Sequence, residues 1–259
     1  MKDTEISAAA SALADAEERR VPIAPLTEQY PGLDLAGAYA IQLRNVRRRL
    51  AGGEELRGHK VGLTARAMQE LFGVDEPDYG HLLGSMFIAD GDEVSLDRFI
   101  DAQVEVEPAF ILGADLRGPG VTPADVIAAT ECVVASLEII DSRIVDWTIK
   151  LEDTVADNGS SAAVVLGSRP IAVDHDALAD AAVELRFDGA VVERGSTREI
   201  LGHPAIAAAW LANALAQFEI GFSAGQVVLP GTCTRATRLR SGPVSGVIGG
   251  MGSASITVA

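Results

Sequence analysis

The chain has 259 residues, of which 48% are hydrophobic, and it carries a formal net charge of −16 at pH 7. This apolar content is sufficient for a substantial core, so the sequence predicts a globular protein with one large domain or two small ones. The acidic balance argues against a nucleic-acid partner, because phosphate binding needs a basic surface, and we expect no membrane span, because no apolar run is long enough.

Two amphipathic helices are predicted at the N-terminus. The first covers residues 4–20. The second follows a proline-containing connector, carries Leu35, Tyr39 and Leu43 at helical spacing, and ends at Gly52. We interpret this pair as a cap or an oligomer contact.

Beyond about residue 56, short β-rich runs alternate with Gly, Pro and Asp. Many short strands with few helices between them favour a mixed, curled β architecture over a doubly wound parallel sheet. We therefore predict an α+β fold with an N-terminal helical region, residues 1–55, and a β-rich catalytic domain, residues 56–259. The predicted strands cover residues 56–63, 86–89, 103–112, 136–145, 162–166, 183–187, 190–194, 226–229 and 243–258, and the predicted helices cover residues 64–72, 123–135 and 204–217.

Three glutamates interrupt apolar segments. Glu105 and Glu107 are two residues apart in one predicted strand, so they share a face. Burying both anions costs several kcal/mol unless a proton or a cation compensates. With Glu138 as a third carboxylate, the group suits Mg²⁺ or Mn²⁺, which prefer oxygen ligands. The alternative is a surface strand whose wet face carries the glutamates while Val104 and Val106 face inward, and periodicity alone does not decide between them.

Three other polar residues are candidates for chemistry. Lys60 lies in an apolar strand, where it either reaches the surface along its aliphatic stem or acts as a base or a cation beside an anion. Asp78 lies in a Pro/Gly-rich loop and is either a turn former or part of a site wall.

The segment from Asp153 to Ser161 is rich in short hydrogen-bonding side chains. It reads either as a plain turn or as a cradle for an anion or water. Ser160 lies outside any Gly-x-Ser-x-Gly frame, which disfavours a nucleophilic serine hydrolase.

Five motifs in register resemble the 2-keto-4-pentenoate hydratase family of the fumarylacetoacetate hydrolase superfamily, which also includes 4-oxalocrotonate decarboxylases. The resemblance implies a mixed β-roll core with flanking helices, and a Mg²⁺ or Mn²⁺ ion held by Glu105, Glu107 and Glu138. It also implies that Lys60, Asp78 and Ser160 surround the substrate. The motifs are Gly58–Thr64, Gly73–Gly80, Val104–Glu107, Leu137–Arg143 and Asp153–Ser161.

The activity implied by this resemblance is hydration of 2-hydroxypenta-2,4-dienoate, or a substituted analogue, to 4-hydroxy-2-oxopentanoate during catabolism of aromatic or steroid rings. A divalent ion would polarise the 2-keto group, Lys60 and Asp78 would move protons, and Ser160 would orient water or substrate.

Three alternatives stay open. A decarboxylase acting on 2-oxo-3-hexenedioate would need a cation for the second carboxylate, which the group Arg235, Arg238 and Arg240 could provide. A carbon–carbon bond hydrolase is more distant. A non-catalytic metal-binding oligomer of the same fold is disfavoured by the retention of the whole polar set.

The expected partners follow from this reading. We expect a small-molecule 2-keto acid or dienoate substrate, a homo-oligomeric assembly, and association with a downstream aldolase or decarboxylase. The acidic N-terminus is unlike a signal or transit peptide, so we expect a cytoplasmic protein. The two cysteines are widely separated and are expected as free thiols.

Overall fold

Helices form the N-terminal region of the computed structural model, which describes residues 1–64, 69–70, 73, 77–172 and 175–259. The two predicted helices are confirmed, and a short helix that the sequence did not indicate lies between them. The side chain of Asp34 caps the second long helix by accepting a hydrogen bond from the backbone N–H of Gly37, at 2.8 Å. The elements are α1 (Asp3–Arg19), α2 (Leu26–Gln29) and α3 (Leu35–Ala51).

The larger sheet carries the glutamates. Its strands are β1 (Leu56–Gly62), β2 (Asp78–Leu83), β3 (Phe87–Ile88), β5 (Gln103–Leu112), β6 (Thr130–Ile140), β7 (Ser161–Leu166), β10 (Val227–Leu229) and β11 (Thr237–Arg238), whereas β4 (Glu93–Val94) belongs to the second sheet. The strands of the larger sheet follow the order β2-β1-β10-β5-β6-β7-β3, and β11 pairs with β5. The β1–β10 and β3–β7 pairs are parallel and the others are antiparallel.

The second sheet packs against β5 and β6 of the first and completes the core. Its strand order is β4-β13-β12-β8-β9. Gly246 lets the sheets approach closely, because a Cβ there would lie 2.8 Å from side-chain atoms of both Val106 and Leu137. The predicted α+β class with curled sheets is therefore confirmed. The remaining strands are β8 (Ala182–Phe187), β9 (Ala190–Ser196), β12 (Gly242–Ile248) and β13 (Gly252–Val258).

Several predicted boundaries are wrong. The predicted helix 123–135 ends at Ala129, and β6 begins at Thr130, because β-branched residues there pair with β5, for example Val133 with Phe110. The predicted strand 243–258 is a hairpin that turns at Gly250, whose φ is +80°. The predicted helix 64–72 lies mostly outside the described residues. Among the described residues, the further α-helices are α4 (Pro123–Ala129), α5 (Leu151–Ala156), α6 (His175–Ala179) and α7 (Pro204–Ala216).

Hydrogen bonds tie the N-terminal region to the β-rich part. Gln42 in α3 donates to the carbonyl oxygens of Tyr79 and Val155, at 3.0 and 2.8 Å. The backbone N–H of Ile23 donates to the carbonyl oxygen of Arg143 at 2.9 Å. The division at residue 55 stays a prediction, since these bonds join both parts. Within the described ranges, helices long and apolar enough to cross a membrane are absent.

Candidate active site

The three predicted glutamates converge on one face of the larger sheet. Glu105 in β5 lies directly opposite Glu138 in β6, and Glu107 lies opposite Ser136. One carboxylate oxygen from each glutamate lies within 4.8 Å of the other two. Glu107 and Glu138 are each 1% exposed, whereas Glu105 is partly exposed, so the wet-face alternative is wrong for Glu107 and Glu138.

Burial and mutual repulsion destabilise the charged form of these carboxylates. Burial, with a contribution from the nearby Glu138, raises the pKa of Glu105 to about 8. Burial also raises the pKa of Glu107 well above its ordinary value, and the neighbouring Glu138 and Glu105 add to the rise. Within the described part of the chain, neither oxygen of Glu138 has a hydrogen-bond partner, whereas Glu107 Oε2 accepts from the backbone N–H of Gly231 at 2.8 Å. Three clustered carboxylates, two of them buried, with few hydrogen-bond donors among the described residues fit a hard divalent cation.

Lys60 reaches this cluster from β1 and stays buried. Its Nζ lies 3.7 Å from Glu138 Oε1, and the residue is 4% exposed. Burial lowers the pKa of Lys60, but the surrounding carboxylates outweigh burial, so the net change is upward. Lys60 is therefore an ammonium group held beside carboxylates, and its side chain does not extend to the surface.

Asp78 begins strand β2, which corrects the loop predicted for it. The antiparallel β1–β2 register places Asp78 opposite Gly62, two residues from Lys60. Gly62 is needed for this approach, because a Cβ there would lie 2.1 Å from Asp78 Oδ1. Asp78 is 3% exposed, and burial raises the pKa of its carboxyl group although Lys60 opposes the rise.

Ser160 is positioned near Lys60 by Asn158, whose side-chain amide pairs with the backbone of strand β2. Asn158 Oδ1 accepts from the backbone N–H of His81 at 2.8 Å, and Asn158 Nδ2 donates to the carbonyl oxygen of the same residue at 2.9 Å. Gly159 then passes against Lys60, since a Cβ there would lie 2.6 Å from Lys60 Cε. Ser160 is 2% exposed and has a φ of +55°.

A buried ion pair that the sequence did not single out fixes this loop. Arg143 is 5% exposed, and its Nε lies 2.5 Å from Asp157 Oδ1. The Arg143 guanidinium also donates to the carbonyl oxygens of Asp141, Asp157 and Ser161. The backbone N–H of Asp141 in turn donates to the carbonyl oxygen of Ser160 at 2.8 Å. The available signal was the position of Arg143 between the apolar residues of β6 and Ile144, which are buried on both sides of it.

The predicted loop Asp153–Ser161 starts as a helix. Asp153 lies in α5 and accepts hydrogen bonds from the backbone N–H and the hydroxyl of Thr27, at 3.0 and 2.8 Å. Asp153 is 0% exposed. The predicted cradle for an anion or water is therefore confined to the last part of the segment, while Asp153 binds the N-terminal region.

Two neutral histidines pack behind Lys60. His59 and His81 are cross-strand neighbours on the opposite face of β1 and β2, with ring centroids 5.1 Å apart. Burial lowers the pKa of His81 to about 4 and that of His59 well below its ordinary value. His81 Nδ1 lies 3.1 Å from Gln42 Oε1. Both imidazoles are therefore uncharged near neutral pH.

One cavity of about 840 Å³ is lined by five of the six predicted site residues. The sixth, Glu138, does not line it. The predicted cations are elsewhere: Arg238 pairs with Asp101 at 2.7 Å, and Arg240 lies 3.7 Å from Asp188, both at exposed positions. Arg235 is also exposed and does not line the cavity. The described lining residues are Leu35, Lys60, Val61, Gly62, Leu63, Thr64, Gly73, Asp78, Gln103, Glu105, Glu107, Ile140, Trp147, Ile149, Lys150, Leu151, Glu152, Thr154, Gly159, Ser160, Thr232 and Ala236.

Trp147 enters this cavity from a strained backbone segment. Asp146 and Trp147 both have a φ of +53°, in the left-handed region that costs a non-glycine residue about 1–2 kcal/mol. The indole N–H of Trp147 donates to the carbonyl oxygen of Asp101 at 2.9 Å. The fold therefore holds a large aromatic side chain against the cavity at an energetic cost.

Comparison with known proteins relates this geometry to one family. A model of the fumarylacetoacetate hydrolase C-terminal family matches residues 57–258. The 2-oxo-hept-4-ene-1,7-dioate hydratase of Escherichia coli is 42% identical over 253 residues, which is 95% of each chain. The 2-keto-4-pentenoate hydratase of Burkholderia vietnamiensis is 42% identical over 256 residues, which is 98% of each chain.

A solved structure shares nearly the whole fold. The 4-oxalocrotonate decarboxylase from Pseudomonas putida G7, complexed with magnesium and adipate, superimposes with a TM-score of 0.96 at 32% identity. The match covers 100% of the present chain and 99% of that protein. The β-roll architecture implied by the sequence motifs is therefore confirmed.

Proposed function

The chain belongs to the fumarylacetoacetate hydrolase family, and we propose that within it the chain is a metal-dependent hydratase of 2-hydroxypenta-2,4-dienoate or a substituted analogue. The observation that carries the proposal is the buried triad Glu105, Glu107 and Glu138 with Lys60 Nζ 3.7 Å from Glu138 Oε1. The full-length similarity to hydratases of such dienoates and keto acids supports the same reaction.

The cofactor in this proposal is Mg²⁺ or Mn²⁺. The magnesium complex of the similar decarboxylase supports this choice, as do the Glu138 oxygens, which lack hydrogen bonds among the described residues. A divalent ion held by the three glutamates would polarise the carbonyl of a 2-keto acid.

The remaining residues supply proton transfer and orientation. The reaction adds a proton at carbon 5 as the 2-hydroxyl proton is lost, and water then delivers its hydroxyl to carbon 4 and a proton to carbon 3. Lys60, held as an ammonium group, acts as a proton donor and stabilises negative charge on the substrate. Asp78, with its pKa raised by burial, accepts and returns protons, and the Ser160 hydroxyl orients water or substrate.

Decarboxylation of 2-oxo-3-hexenedioate is the second candidate, favoured by the similarity to the 4-oxalocrotonate decarboxylase. Arg235, Arg238 and Arg240 are exposed and do not line the cavity, which argues against it.

The deciding experiment incubates the purified protein and Mg²⁺ separately with 2-hydroxypenta-2,4-dienoate and 2-oxo-3-hexenedioate. Loss of ultraviolet absorbance and release of CO₂ are followed independently. We expect hydration of the dienoate with little CO₂ from the dicarboxylate. Faster CO₂ release than hydration would replace the hydratase with the decarboxylase.

The metal site is tested apart from turnover. Glu107→Gln should abolish Mn²⁺ binding in calorimetry while leaving the fold intact, because it removes a ligand charge at a buried position. Glu131→Gln is the matched control, since Glu131 lies on the same strand β6 as Glu138 but is exposed. Unchanged Mn²⁺ affinity in the Glu107 variant would refute the ligand assignment.

The proposed assembly is a homo-oligomer. Exposed apolar side chains support it, among them Val21 at 60%, Val192 at 39% and Ile206 at 42% exposure. Light scattering that gives a 27.0 kDa species at micromolar concentration would contradict it. The product, a 4-hydroxy-2-oxo acid, suits cleavage by an aldolase, so association with a downstream aldolase or decarboxylase is part of the proposal and is tested by co-purification.

A further inference from the structure

The cavity wall changes from charged to apolar with distance from the glutamates. Gln103 and Ile140 are cross-strand neighbours. Each lies two residues from a glutamate on its own strand, Glu105 or Glu138, and therefore shares that face. At about 3.3 Å per residue, they lie about 7 Å farther along the strands. The first apolar wall residue on β6 is thus Ile140.

Trp147 continues this wall at the far end. Its indole N–H is bonded to the carbonyl oxygen of Asp101, 2.9 Å away. Asp101 lies two residues before the start of β5, beyond Gln103 on the side of Glu105 away from Glu107. Ile149 and Leu151 line the cavity next to Trp147. A substrate anchored at the glutamates by its carboxylate and keto oxygens would extend its distal carbon toward this group.

The strained backbone supports a role for Trp147 in binding. Asp146 and Trp147 are consecutive non-glycine residues with φ of +53°, and strain of this kind persists at ligand sites when the surroundings enforce it. The N-terminal region helps to enforce this backbone conformation, because the backbone N–H of the adjacent Val145 donates to the carbonyl oxygen of Ile23 at 2.9 Å.

The described lining residues offer little positive charge to the distal carboxylate of a dicarboxylate substrate. Its cationic members are Lys60 and Lys150. Lys60 already lies beside Glu138, and Lys150 is exposed and shares the cavity rim with Glu152. Arg238, the cross-strand neighbour of Gln103, is exposed and already paired with Asp101. A distal anion would therefore be desolvated against apolar side chains without a buried cation among the described lining residues.

We propose that Trp147, with Ile140 and Ile149, forms a distal subsite for an apolar substituent, alkyl or aryl, on carbon 5 of the dienoate. This inference rests on the proposed function for the orientation of the substrate. It names the substrate class as substituted 2-hydroxy-2,4-dienoates, in preference to the unsubstituted compound and to dicarboxylates.

Three substrates of matched design test the proposal in wild-type protein with Mg²⁺: 2-hydroxypenta-2,4-dienoate, its 5-ethyl homologue 2-hydroxyhepta-2,4-dienoate, and 2-hydroxyhepta-2,4-diene-1,7-dioate. We expect kcat/KM for the ethyl compound to exceed the other two by about tenfold or more, the range for one or two methylenes in an apolar pocket. A wild-type preference for the dicarboxylate would overturn the proposal.

The variants assign the preference to the side chain. Trp147→Ala should lower the ratio of kcat/KM for the ethyl over the unsubstituted compound by about tenfold, mainly through KM, whereas Trp147→Phe should retain most of it. Trp210→Phe is the control, because Trp210 lies in α7, packs on the main core and does not line this cavity. An unchanged ratio in Trp147→Ala would overturn the proposal. If that variant does not fold, Ile149→Ala provides the same test.

A binding measurement separates this inference from the proposed reaction. Calorimetry compares 2-oxoheptanoate with 2-oxopentanoate on the Mn²⁺-loaded protein, where turnover plays no part. Tighter binding of the longer acid that Trp147→Ala abolishes would support the subsite even if no dienoate is hydrated. Equal affinity for both acids would overturn the subsite while leaving the hydratase proposal intact.

Discussion

Replacing Arg143 with Met removes a buried guanidinium while keeping most of the side-chain volume, and it leaves the Asp157 carboxylate unpaired. The two residues are 5% and 2% exposed. Breaking a buried pair by removing one partner costs about 3–5 kcal/mol of unfolding free energy. At about 2–4 °C per kcal/mol for a chain near this size, the midpoint of thermal unfolding should fall by roughly 6–20 °C.

The assay is denaturant unfolding at fixed protein concentration, at a pH well above 6. Burial raises the pKa of Asp157 to about 6 although Arg143 opposes the rise, so the pair is fully ionised only above that pH. Arg198→Met is the matched control, because Arg198 and its partner Asp180 have side chains that are 66% and 52% exposed. An exposed pair contributes at most about 1 kcal/mol.

The double variant Arg143→Met with Asp157→Leu should recover part of the lost stability, because both charges are then absent. The kcat of Arg143→Met should fall more than that of the Arg198 control. Arg143 is a positioning residue, since its guanidinium binds the carbonyl oxygens on both sides of Ser160. If Arg143→Met loses no more stability than the surface control, the reasoning from buried charge is refuted.

Three further results are expected. Mn²⁺ affinity should rise as the pH increases toward about 8. Glu105 has a pKa of about 8 and is mostly protonated below that pH, so binding of the ion must release this proton. Calorimetry in buffers of different ionisation enthalpy measures the release, and its absence would contradict the prediction. His59→Leu should reduce the dependence of the unfolding free energy on pH below about 6.5. Burial lowers the folded-state pKa of His59, so below that pH the unfolded wild-type chain binds a proton that the folded chain does not. An unchanged slope of unfolding free energy against pH in the variant would refute this. Gly62→Ala should lower kcat by displacing Asp78, whose Oδ1 would lie 2.1 Å from the new Cβ, whereas Gly84→Ala, with its nearest neighbour at 3.8 Å, should not.

Local sequence patterns were sufficient for the periodic elements. The apolar spacing in α1 and α3 determined those helices within one or two residues, and the alternation around Glu105 and Glu107 placed both carboxylates on one face of β5. The family motifs added Lys60, Asp78 and Ser160, which line one cavity in the structure. These features depend on residues close in sequence, or on motifs read as a set.

Tertiary contacts decided the rest, because burial and strand pairing depend on residues far apart in the chain. The strand pairing of Asp78 with Gly62, and of Val133 with Phe110, overrode the loop and the helix that the local patterns predicted. Only packing of both sheet faces distinguished a buried carboxylate from a solvated one. The sequence by itself thus determined the set of candidate side chains, five of which line one cavity. Only the structure showed that Arg143 holds the loop of Ser160 and that the predicted arginines do not line the cavity, since neither ion pairing nor exposure is encoded in local periodicity.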